Sequence, residues 1–64
     1  MIKVLCLDNS KVYGFSANTP YEALEKMRYT LDVVHKDERA VINKTKSGRC
    51  LYMEHSGKTY GVRI

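Results

Sequence analysis

Cys6, Cys50, His35 and His55 are the only thiols and imidazoles in this 64-residue chain, and so the only soft ligands. A structural zinc site draws on closely spaced pairs of such residues, and none of these pairs is close, so no metal and no cofactor is expected. A Cys–His nucleophilic pair needs its thiol in a polar, electropositive setting. Cys6 lies between Leu5 and Leu7, which favours burial; Cys50, next to Arg49, is the more reactive candidate. The carboxylates are scattered, and Asp37-Glu38 sits between Lys36 and Arg39 in what reads as a solvated connection. No pair of them is spaced for acid–base work, and the expectation is a protein that is not an enzyme.

Two further patterns bear on phosphate. Ser-Gly-basic occurs at Ser47-Gly48-Arg49 and again at Ser56-Gly57-Lys58. Neither precedes a helix whose N-terminus would bind an anion. The strand between them spans about 17 Å at ~3.4 Å per residue, so the two loops lie too far apart to form one cradle. They read as turns. Lys44, Lys46, Arg49, Lys58 and Arg63 are expected to surround a sheet carrying Tyr52 on its open face. An exposed tyrosine for base stacking with cations along the phosphates is a known route to nucleic-acid binding. A basic rim is also ordinary protection of an edge strand.

These side chains are positioned by six elements. IKVLCL and KVYGFSA are apolar, β-branched runs around the turn residues DNS, which predicts a hairpin. A two-residue Asn9-Ser10 loop sets Val4 opposite Phe15 and Cys6 opposite Tyr13, whereas a three-residue DNS loop changes the pairing, so the register of this hairpin stays open; the two-residue loop is followed here. Ile2, Val4, Cys6, Tyr13 and Phe15 then face inward, and Leu5, Leu7 and Val12 face out. TPYE is a helix start, with Thr19 as N-cap, Pro20 at the first position and Glu22 closing a capping box. The helix is expected over about residues 20–31, with Leu24, Met27 and Leu31 on one face, Ala23 and Thr30 beside them, and Glu22 and Lys26 in mutual support.

RAVINKT, RCLYME and KTYGVRI are read as three strands joined by the two Ser-Gly turns. Two-residue loops set Leu51 opposite Val62, and Met53 opposite both Tyr60 and Ile42. Ala40, Ile42, Leu51, Met53, Tyr60, Val62 and Ile64 then share the helix side. Val41, Asn43, Thr45, Cys50, Tyr52, Glu54, Thr59, Gly61 and Arg63 share the other. A slip of one residue would turn an apolar set to water, so the register is well specified. Tyr52 is expected to cover the bare backbone of Gly61. The fold class that follows is α+β, with order ββαβββ: one domain over residues 1–64, its helix packed on a mostly antiparallel sheet of four or five strands.

Composition agrees with a small globular domain, 44% hydrophobic. The net charge is +4, and all of the excess lies in residues 33–64. MIKVLCLD does not read as a secretory leader, since its apolar run ends at Leu7 before Asp8. No segment reaches the ~18 apolar residues of a membrane span. Two distant cysteines make a poor disulfide framework and favour a reducing, cytoplasmic setting.

The element order is similar to the ubiquitin-like β-grasp layout, a resemblance that would make the open sheet face the place for protein partners. TPYEALEKMRYTL followed by INKTKSGRCLYMEHSGKTYGV resembles small uncharacterised proteins of Gram-positive conjugative transposons and prophages, and this assigns no residue a role. The functional expectation is a cytoplasmic accessory protein. It would bind a protein partner, or itself, through Leu5, Leu7, Val12, Val41 and Tyr52, whose contiguous apolar exposure suggests an interface. The alternative is weak, sequence-nonspecific nucleic-acid binding by Lys44, Lys46, Arg49, Tyr52 and Arg63.

Overall fold

A computed structural model describes residues 1–64. The chain runs β1 (Ile2–Cys6), β2 (Val12–Phe15), α1 (Pro20–Val34), β3 (Asn43–Lys44), β4 (Cys50–His55) and β5 (Lys58–Arg63). The strands form one five-stranded sheet in the order β2-β1-β5-β4-β3. Every neighbouring pair is antiparallel. The helix lies across one face, so the expected α+β fold is present.

The last strands pair as their alternation predicts. Leu51 faces Val62, Met53 faces Tyr60, and Tyr52 faces Gly61. Ser56 and Gly57 have φ of 51° and 81°, the positive pair that a two-residue type I′ hairpin requires. Asn43 faces Tyr52 and Lys44 faces Leu51, which is the expected β3–β4 register. The turn differs, however: Thr45 N–H donates to Cys50 C=O and Gly48 N–H to Thr45 C=O, leaving Lys46–Arg49 as the loop. Gly48, at φ 73°, closes it.

The first hairpin keeps the facing that a two-residue loop implies but not that loop's register. Val4 faces Tyr13, and Ile2 faces Phe15, a shift of two residues. Cys6 N–H donates to Lys11 C=O and Ser10 N–H to Cys6 C=O, so Leu7–Ser10 form the loop. Asn9 Oδ1 accepts from Lys11 N–H, the local bonding that favours Asn in turns. An even shift preserves the side each residue faces, so the core composition survives the error.

Helix α1 starts as predicted, with Thr19 Oγ1 accepting from Glu22 N–H at 3.1 Å. The Glu22 carboxylate reaches Asn18 N–H, one residue before the cap, and Lys26 Nζ donates to Ser16 C=O, so the expected Glu22–Lys26 support does not form. The helix continues to Val34 rather than ending near Leu31. Val33 and Val34 are exposed, so burial does not drive the extra turn. His35 N–H closes it on Leu31 C=O, and Asp32 uses its helical position to reach the sheet.

The core is Val4 and Cys6 of β1, Ala23, Leu24 and Met27 of α1, Leu51 and Met53 of β4, and Tyr60 and Val62 of β5. Leu31 and Ile42 pack at its margin. Thr30, expected beside the core, is exposed and bonds back to Lys26 C=O. Ile64, expected inside, is 58% exposed, because it lies beyond the helix-covered part of β5. β3 is far shorter than the strand expected over 39–45. Its approach is held off the sheet edge, since Arg28 Nη1 donates to Ala40 C=O and Ala40 N–H to Asp37 C=O.

Candidate functional site

The helix-free face of the sheet carries a shallow groove of about 820 Å³. Its floor lies along β5 at Gly61, with Leu5 of β1 on one side and Tyr52 of β4 on the other. A Cβ placed on Gly61 would meet a single heavy atom within 4 Å, the Leu51 carbonyl oxygen at 3.6 Å. The Tyr52 ring therefore does not cover Gly61 as expected; it stands aside and leaves the floor open. Leu7 and Thr59 line one end, and Lys3, Cys50 and Arg63 the other. Leu5 is 38% exposed, Leu7 59%, Val12 55% and Tyr52 37%, so apolar side chains of β1, β2 and β4 and of the loop after β1 reach solvent on this face.

Of the side chains expected on a partner surface, the fold brings Leu5, Leu7 and Tyr52 into the groove. Val12 extends this surface through its cross-strand pairing with Leu5. Val41 is exposed but lies outside β3 and does not line the groove. The cations expected around Tyr52 are divided. Arg63 lines the groove. Lys44 pairs with inward-facing Leu51 and so projects to the helix side, away from Tyr52. Lys46 and Arg49 sit in the β3–β4 loop. Lys3 was missed. Its parity with Leu5 was legible, but its sharing a groove with Arg63 depends on the β1–β5 pairing, for which the sequence carries no local signal.

A second polar cluster joins distant parts of the chain. His55, 2% exposed, is the one polar residue in the buried set. Its Nε2 lies 2.6 Å from Asp32 Oδ1, and its Nδ1 lies 3.2 Å from Ser56 Oγ. The ionised carboxylate can only accept, so Nε2 carries the proton toward Asp32. Asp37 Oδ2 accepts from Ser56 N–H at 2.7 Å, and its Oδ1 accepts from Arg39 N–H. The His55 hydrogen bond holds the Asp32 carboxyl below its ordinary value, helped by the Asp37 amide and the Arg28 guanidinium. The Ser56 and Arg39 amides do the same for Asp37. Burial raises the Tyr60 phenol above its usual range.

Asp32, His55 and Ser56 are the residue types of an acyl-transfer triad, and such a triad needs donors aimed at a developing oxyanion. Here the Ser56 amide is already given to Asp37, whose carboxylate stands where negative charge would build. The cluster pins the end of α1 and the 35–40 connection to the β4–β5 turn.

No family model, curated protein or solved structure matches the chain. No three His, Cys, Asp or Glu side chains converge as a metal-holding group. Cys6 faces the helix, and Cys50 lies two strands away at the margin of the open face. About 9–10 Å of sheet therefore separates their strands, too far for a disulfide within the chain. No helix is long and apolar enough to cross a membrane.

Proposed function

We propose that this is a non-enzymatic binding module that engages a protein partner through the helix-free face of its sheet. The observation that carries the reading is the groove over Gly61, walled by Leu5, Leu7 and Tyr52 and left open to solvent. A domain of this size that leaves apolar side chains uncovered on both sides of its central strand keeps them at a cost that a partner would relieve. The two thiols, set apart on different strands, suit a reducing, cytoplasmic setting.

The nucleic-acid reading has less support. It relies on a single partly exposed ring, and the fold sends Lys44 to the opposite side of the sheet.

A pull-down from the native host separates the two. The bait is wild type beside a Leu5→Asp, Tyr52→Ala double variant, with circular dichroism to show that both are folded. A protein captured by wild type, lost with the variant and indifferent to nuclease is the expected result. Capture that nuclease abolishes, or that the variant retains in full, would overturn the reading.

A further inference from the structure

The groove has a direction. β1 and β5 are paired only at Leu5↔Gly61 and Cys6↔Tyr60, with Leu7 N–H donating to Thr59 C=O beyond. Toward the other end the ladder stops. β1 stays on β2 as far as Ile2↔Phe15, while β5 stays on β4 as far as Cys50↔Arg63. Continuing the Leu5↔Gly61 register by two residues sets Lys3 beside Arg63, one on each side of this parting. These are the only charged side chains that line the groove.

Neither cation has a counterion in the molecule. The ion pairs that form are Lys36–Glu38 and His55–Asp32, both elsewhere. Both cations therefore line the groove without an ion-pair partner. An anion arriving between them would be held by two charge-assisted contacts. At the opposite end of the face stands Glu54, paired with Thr59, and Asp8 Oδ2 accepts from Thr59 N–H, so that end offers an anion no welcome.

We propose that the groove takes an extended acidic segment of a partner protein, its carboxylate between Lys3 and Arg63 and its neighbouring apolar side chains over Leu5, Gly61 and Tyr52. This rests on the partner-binding reading of the same face and adds the chemistry of the occupant. An extended segment suits the geometry because its side chains alternate, so those turned toward the sheet fall in one line along β5. The apolar floor favours a peptide over a phosphate backbone, which would gain from the two cations but not from Leu5 and Leu7.

The test is selection from a random peptide library of about 12 residues displayed on phage, followed by titration of the selected peptide into labelled protein. Peptides rich in Asp or Glu beside aliphatic or aromatic residues are expected, with amide shifts centred on Lys3, Leu5, Gly61 and Arg63. A Lys3→Gln, Arg63→Gln variant should bind about tenfold more weakly, with losses shared between two contacts. Gly61→Val should abolish binding by filling the floor; a Cβ there has room and the φ is not positive, and circular dichroism checks that the variant is folded.

Loss with Gly61→Val alone, with the charge variant binding like wild type, would keep the partner-binding face but overturn the acidic occupant. Binding unaffected by either variant would overturn both. Failure to select any peptide, selection of basic or uncharged ones, or displacement of the peptide by a tighter-binding single-stranded DNA would overturn the proposal. So would a wild-type dimer that Gly61→Val dissolves, since the occupant would then be a second copy of the chain.

Discussion

Met53 and Gly61 show how much a single position on this sheet decides. Met53 is fully buried, in contact with the helix side of the core, and paired across the ladder with Tyr60. Truncating a buried side chain of this size removes its transfer free energy and leaves a cavity, at a cost of about 2–5 kcal/mol. A domain this small has about 5 kcal/mol or little more in reserve. Met53→Ala is therefore expected to lower the urea midpoint sharply or to unfold the chain at ambient temperature. A midpoint within error of wild type would mean that the core is not where these contacts place it. Gly61, two strands from either edge, carries the opposite lesson: there the missing side chain is the feature, because it makes the groove floor.

At the scale of elements, α1 is held at both ends by contacts of different kinds. The start is local: the Thr19 hydroxyl takes one amide that the helix cannot satisfy itself. Thr19→Ala should cost about 1 kcal/mol, and Thr19→Ser much less. Equal losses from both, read from thermal melts, would show that the methyl contact and not the hydroxyl matters.

The end is not local. Asp32 bonds to His55, which lies 23 residues away in sequence. This contrast explains what could be read in advance. TPYE announced the helix start because every partner lies within a few residues. The β4–β5 hairpin was legible because alternation and a Ser-Gly turn both act at short range. The helix end, the Asp32–His55–Ser56–Asp37 cluster and the Lys3–Arg63 pair were not legible. Each is set by strands or loops that meet only after the sheet closes. The first hairpin lies between these cases: alternation set its facing, while its register depended on a loop whose length DNS does not specify.

For the molecule as a whole, the Asp32 and Asp37 carboxylates tie three parts together: the end of α1, the following connection and the β4–β5 turn. Both have folded-state values lowered from the ordinary 3.8. On acidification the unfolded chain therefore takes up protons at these groups before the folded chain does. Their stabilising contribution is complete above the unfolded value. It fades as pH falls from there through the lowered folded values, and below those it is gone. The melting temperature should accordingly hold steady from about pH 7 to about pH 5 as far as these groups govern it, then fall steeply below about pH 4. In an Asp32→Asn, Asp37→Asn variant the amide oxygens still accept hydrogen bonds but neither side chain titrates. Its melting temperature should start lower at neutral pH and lose less on acidification, so the two curves converge. Parallel curves would show that acid acts on this molecule through other carboxylates, and that the tie between helix end and turn holds without its charge.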